Sequence, residues 1–312
     1  MIHVNPVRQL TLRSPVGPGR PKHLSAASGL VEAGERLYVV ADDELQLGVF
    51  PATGDSSGDL VRLFPGELPD GYQARKAQKP DLEVLVRLPA FTGHNAGALL
   101  ALGSGSATNR RTGALIPLDA LGRVDGPAVP IDLRGIYDPL APQFHTLNIE
   151  GAVVCGEHFV LLQRGNRHQT QGASIHLDLA NTLSALASTQ SLGTAAPMNI
   201  RTYDLGDING APLCFSDGAS LPDGGLIFTA IAENSDDSYH DGPCTGAAIG
   251  ITDRDGRLRY LERIERGYKV EGIEAVVDGS VIRLKLVTDA DDATVPAWLL
   301  TAEIRDYAGL TR

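Results

Sequence analysis

The sequence predicts an all-β chain folded as a five-bladed β-propeller. Three observations predict it: short apolar runs punctuated by Gly, Asp-Gly and Pro, a hairpin unit that recurs five times, and an N-terminal strand-like run with no neighbour of its own. The unit is a small or acidic residue, an apolar strand, a turn, a second apolar strand and a polar cluster. It occurs as "ASGLVEAGERLYVVADDE" (27–44), "DLEVLVRLPAFTGHNAGALLALGSGSATNRR" (81–111) and "NIEGAVVCGEHFVLLQRGN" (148–166). The last two copies are "SDGASLPDGGLIFTAIAEN" (216–234) and "GYKVEGIEAVVDGSVIRLKLVTDADD" (267–292).

Two further strand-like runs follow each of the first four units: "QLGVF" and "DLVRLF", "GALIPL" and "AVPIDL", "ASIHLDL" and "NIRTYDL", "AAIGITD" and "LRYLERI". Four strands per repeat is the pattern of a propeller blade. The fifth unit has only "AWLLTAEI" (297–304), so "VRQLTL" (7–12) is expected to supply its outer strand and close the ring. Six blades is the alternative, should the long 112–147 stretch hold a degenerate blade. The one helical pattern, "LDLANTLSALAST" (177–189), reads as an insertion in blade three. Cutting such a ring would expose blade faces, so residues 1–312 are expected to form a single domain.

Composition narrows the function. A formal charge of −11 over 312 residues opposes binding to nucleic acid polymers, which is driven by cationic surface. The three cysteines, Cys155, Cys214 and Cys244, are widely spaced and lack a CxxC, which reads as reduced thiols. The first ten residues do not read as a signal peptide, and no run approaches the roughly 18 apolar residues of a membrane span. A cytoplasmic protein without a membrane partner is the expectation.

The anchor residues that open the units are Ser28, Glu83, Glu150, Asp217 (or Ser216) and Glu271, spaced 54 to 67 residues apart. The first strand of a blade lines the central channel, so five anchors gather at one mouth. The second strand returns antiparallel to the same face. It brings Asp42, Asp43, Arg110, Arg111, Arg164, Asn166, Glu233 and the Asp289/Asp291/Asp292 loop to the rim. Close carboxylate pairs repel by roughly 3 kcal/mol at about 5 Å and an effective dielectric near 20. Such a ring therefore needs protons or a cation. An all-oxygen set suits Ca2+, with Ser28, Glu83, Glu150, Asp217 and Glu271 as metal ligands. Ordinary turn chemistry is the plain alternative for any single acid-Gly pair.

At these residues the chain resembles the calcium-dependent soluble nucleotidases, the apyrases. The similar pieces are "SGLVEAGERLYVVADDELQLGVF" (28–50), "FSDGASLP" (215–222) and "RLRYLERIERGYKVEGIEAV" (257–276). It also resembles the wider group of phytase-like esterase propellers, and "GSGSATNRR" (103–111) is similar to a bacterial propeller family of unassigned activity. The apyrase resemblance implies five blades around one central calcium and hydrolysis of phosphate esters or nucleotides. On that reading Arg110, Arg111 and Arg164, with Asn166 and Glu233, hold a small anionic substrate, because guanidinium forks match phosphate oxygens. Asp42 or Asp43 is then the candidate general base. The rival expectation is a propeller that binds a protein or small-molecule partner and uses calcium only to tie its blades together.

Overall fold

The computed structural model describes residues 1–17, 19–193, 196–233, 244–265 and 267–310. Five small antiparallel sheets form five blades around an axis. The inner strands are Ala27–Ala33, Leu82–Leu88, Ile149–Cys155, Ala211–Ser220 and Val270–Asp278. Each pairs with a second strand: Arg36–Ala41, Ala98–Gly103, His158–Gln163, Leu226–Glu233 and Val281–Thr288. The stretch 112–147 holds the last two strands of blade two, the helix α1 (Arg134–Leu140) and a 3-10 turn, and no sixth blade.

Ring closure follows the expectation. The strand Val4–Gln9 is the outer strand of blade five and pairs antiparallel with Trp298–Arg305. The helix α2 (Leu179–Thr189) lies between the third and outer strands of blade three, and the Asp178 carboxylate caps it by accepting from Asn181 N at 2.7 Å. The elements without a counterpart in the sequence reading include a two-residue strand, Asp207–Ile208, on the inner edge of blade four, and the helix α1. The short helix Tyr72–Gln78 between blades one and two is another.

Second strands such as Ala98–Gly103 are buried along their whole length because blades cover both faces. The apolar core is correspondingly divided into five layers, one per seam between neighbouring blades. Each fully buried aliphatic or aromatic side chain in them contributes about 1.5–3 kcal/mol. These packed seams make the ring a stiff frame for whatever the inner strands aim at the axis.

Candidate functional site: a charged funnel at the channel mouth

Every inner strand carries one register break, at its second residue in four blades and at its sixth in blade four. The unpaired residue is Ser28, Glu83, Glu150, Ser216 or Glu271. A bulge adds a residue that the partner strand does not match, bending the strand and re-aiming that side chain. Four of the five anchors read from the sequence are therefore bulge residues. In blade four the equivalent position is Ser216, and Asp217 comes one later.

Glycine follows the bulge in three blades because the next blade leaves no room for a Cβ. One on Gly29 would stand 2.6 Å from Leu85 N, and one on Gly151 would stand 2.9 Å from the Asp217 Cα. Asp217 occupies this same column in blade four. Its Oδ2 accepts from Ile273 N at 3.0 Å, stapling blade four to blade five. Neither Asp217 nor Ser28 lines the funnel cavity; Ser28 Oγ donates to the Ala26 carbonyl of its own strand.

The funnel tapers to a cavity of about 50 Å3 lined by Glu83, Glu150 and Glu271. A second column lies two residues before each bulge: Ala26, Asp81, Asn148, Cys214 and Lys269. All of these except Ala26 line the cavity. Asp42, Arg164 and Asp289 sit just after the second strands of their blades, each donating its backbone N–H to the carbonyl of that second column. Eight carboxylates (Asp42, Asp81, Glu83, Glu150, Glu233, Glu271, Asp289, Asp291) face five cations (Lys76, Lys79, Arg110, Arg164, Lys269), a formal charge of −3.

Most of these charges are paired. Lys79 Nζ bridges Asp42 and Asp81, the latter at 2.8 Å. Arg110 binds Asp81 and Ser106 Oγ, both at 2.8 Å, and Ser104 Oγ donates to Asp81 at 2.5 Å. Arg164 lies between Glu233 at 2.5 Å and Glu150 at 3.4 Å. Lys269 Nζ is caged by Glu233, Glu271, Asp289 and Asp291 at 2.7–3.3 Å. Glu83 makes no hydrogen bond or ion pair among the described residues, and Glu271 Oε2 is buried without a hydrogen-bond partner.

The protonation pressures follow from these contacts. Burial and the charges of Glu150, Asp81 and Asp42 push Glu83 well above the carboxylate range. Burial raises Glu150 to about 8, with Glu271 and Glu233 adding to it and Arg164 opposing. Asp42 rises to about 6, mainly through burial. Burial acts on Asp81 too, but Lys79 and Arg110 outweigh it and hold that carboxyl low. Surplus negative charge thus concentrates at Glu83 and its neighbours.

Several expected substrate contacts fall elsewhere. Arg111 pairs with Asp138 at 2.5 Å, away from the cavity. Asn166 lines it, but its Oδ1 caps a turn by accepting from His168 N and Gln169 N. Asp43 is bound by Arg20 at 3.0 Å and faces an adjoining chamber of about 260 Å3. That chamber shares Asp42, Lys76, Lys79, Asp289 and Asp291 with the funnel, and Tyr72 and Arg75 of the short helix line it. Asp292 is on this chamber wall as well.

Fold and site together define a five-bladed propeller with a carboxylate-rich polar funnel. The chain belongs to a family of unknown function, DUF6929, whose profile matches residues 23–304. No curated protein matches it in sequence, so the likeness to the nucleotidases rests on the quoted residues alone. Among solved structures it is similar to the alpha-L-arabinofuranosidase of Podospora anserina, crystallised with cellotriose. That likeness has 13% identity, a TM-score of 0.50, and coverage of 98% of this chain and 97% of the other. A luciferin-regenerating enzyme aligns at 11% identity and TM-score 0.41, over 90% and 92% of the two chains. The Synechocystis apocarotenoid oxygenase aligns at 15% identity and TM-score 0.39, over 99% and 67%. These likenesses concern the fold.

Proposed function

We propose that the chain is a calcium-dependent hydrolase whose active centre is this funnel. The observation that supports it most is Glu83: an unpaired carboxylate at the funnel wall, beside three others, in a cavity with a formal charge of −3. Glu83, Glu150 and Glu271 would have to close on one another to hold the cation, an oxygen set that suits calcium. Among the described residues it is Glu83, Asp42 and Asp81 whose carboxylate oxygens lie within 4.8 Å of one another. The buried, unpartnered Glu271 Oε2 fits that assignment. Asp42 and Asp81 stand nearby, but Lys79 already neutralises that pair.

When bound, calcium supplies Lewis-acid polarisation of a substrate oxygen. The rest belongs to the chain. Asp42 bridges funnel and chamber, and its elevated pKa of about 6 suits a general base that takes a proton from water. Arg20 fixes the neighbouring Asp43. Arg110 and Arg164 hold Asp81, Glu150 and Glu233 in place, so they act as positioning residues. A phosphate ester of modest size would enter through the 260 Å3 chamber, where Lys76 and Arg75 meet its charge. The same engagement of Arg110 and Arg164 favours a second reading, in which the cation only ties the blades together and the funnel binds a partner.

Thermal unfolding with EGTA and with calcium restored, run beside phosphate release from a nucleotide and phosphomonoester panel, separates these readings. Nitrophenyl glycosides belong in the panel because of the arabinofuranosidase likeness. Calcium-dependent melting with calcium-dependent phosphate release supports the hydrolase. Calcium-dependent melting without turnover selects the structural cation. No response to calcium in either assay removes both.

A further inference from the structure

We propose that the groove between blades three and four, at the end of the ring away from the funnel, binds a small organic acid, an anion with one carboxylate and an apolar body. The groove is a cavity of about 330 Å3, the size of a small-molecule site. Its polar wall is one face of blade three. Register sets His176 opposite Val160 on the second strand, and Ser174 opposite Arg201 on the outer strand. Strand alternation therefore turns His158, Ser174, His176, Arg201 and Tyr203 to the same side, toward blade four. Val153, Val160 and Leu226 supply an apolar floor.

Arg201 is fixed at one edge only. Its Nη1 donates to the Asp255 carbonyl in a turn of blade four, which leaves Nη2 and Nε without a protein acceptor among the described residues. The side chain lies against Gly256, where a Cβ would stand 2.0 Å from Nη1 and 2.9 Å from Cδ, so a glycine makes room for it. The rim acids have guanidinium partners of their own: Asp253 binds Arg259 at 2.7 Å, and Asp255 lies 4.0 Å from Arg257. Glu157 is exposed at the mouth. Arg201 and Arg254, both on the cavity wall, pair with no carboxylate among the described residues. Burial drives the His176 imidazole down to about 4, and the nearby Arg201 charge adds to it.

The free edge of Arg201 presents two parallel N–H groups, the fork that matches the two oxygens of a carboxylate. His158 Nδ1 is buried without a hydrogen-bond partner, a desolvation penalty that a ligand oxygen would lift. In the tautomer that protonates Nδ1, it donates to that oxygen. Tyr203 packs edge to face on Phe215, and its hydroxyl is 3.3 Å from Ser174 Oγ, which is 3.0 Å from His176 Nε2. That chain fixes both rings at the cavity wall. The apolar body of the ligand covers the valine and leucine floor, which inorganic phosphate would leave bare.

Calorimetric titration of the full chain with benzoate, neutral benzamide and inorganic phosphate tests the site. The expected result is one equivalent of benzoate bound with a Kd of about 1 mM or tighter, in EGTA as in calcium. Benzamide and phosphate bind roughly tenfold more weakly or worse, and Arg201→Gln weakens benzoate to the same extent. In long-range 1H–15N spectra the ring nitrogens of His158 and His176 shift on adding benzoate, and those of His94 stay. Absence of saturable benzoate binding, equal binding of benzamide or phosphate, an unchanged affinity in Arg201→Gln, or stationary His158 and His176 signals overturns the proposal. Should Arg201→Gln fail to fold, the benzamide comparison and the histidine spectra of the wild-type chain decide.

Discussion

Asp81, just before an inner strand, and Glu83, two residues on within it, experience opposite electrostatic environments. Asp81 is held ionised by Lys79, Arg110 and Ser104, whereas at Glu83 burial and the like charges of Glu150, Asp81 and Asp42 outweigh Lys79 and drive it toward its protonated form. The bulge at Glu83 produces the difference, because it turns that side chain out of the pairing register and toward the axis.

Glu83→Gln is therefore expected to act in two directions. Removing one of several crowded carboxylates raises the Tm of the calcium-free protein at pH 8. Losing a cation ligand weakens calcium binding by roughly tenfold or more, about 1.4 kcal/mol. Calorimetric titration and melting on the same preparation check both. A variant that lowers the calcium-free Tm and binds calcium normally contradicts the assignment.

Lys269→Met leaves Glu233, Glu271, Asp289 and Asp291 without their shared ammonium. Breaking a buried ion cluster by removing one partner costs about 3–5 kcal/mol. Chemical denaturation at pH 8 should show that loss, and lowering the pH toward 5 should recover part of it by protonating the orphaned acids.

Glu274 gives a pH dependence away from the funnel. Its Oε2 accepts from Glu32 N at 3.0 Å across the seam between blades five and one, and burial raises its pKa to about 7. A carboxyl with a raised folded-state pKa contributes full stability below its unfolded value near 4.3, and loses it as pH climbs through the folded value. Glu274→Gln keeps an acceptor for Glu32 N and removes the titration. Between pH 5 and 8 its Tm should fall less than that of the wild type, measured in EGTA.

Gly151→Ala tests the packing that aims the bulges. The added methyl stands 2.9 Å from the Asp217 Cα, a backbone atom that cannot rotate away. Overpacking of this kind costs about 1–3 kcal/mol. Gly54→Ala, where a Cβ meets nothing within 4 Å but φ is +80°, serves as the comparison for backbone strain alone.

The blades were legible because each repeats the same alternation and turns, and so were the bulge anchors, since a glycine after an acid recurs with them. The second column was not. Ala26, Asp81, Asn148, Cys214 and Lys269 share no chemistry, so no repeat draws attention to them, although counting back two residues from each anchor finds all five. The helix Tyr72–Gln78 escaped notice because it is short and has no side-chain cap. Arg110 and Arg164 were recognised as belonging to the funnel, but a sequence does not show that a guanidinium is buried against carboxylates. Blade four misled by one residue: Asp217 has the chemistry of an anchor, but Ser216 has the geometry.

The pairing of Val4–Gln9 with Trp298–Arg305 has a kinetic consequence. The strand Val4–Gln9 finds its partner only in a segment made nearly three hundred residues later, as the pairing of Val4 with Ala302 shows. Contacts of such sequence separation are slow to form, because loop closure precedes any reward. Until then the Trp298–Arg305 edge stays open to strands of other molecules. The step most exposed to aggregation is thus the meeting of these two strands, and dilution during refolding should raise the yield more than any change at the funnel.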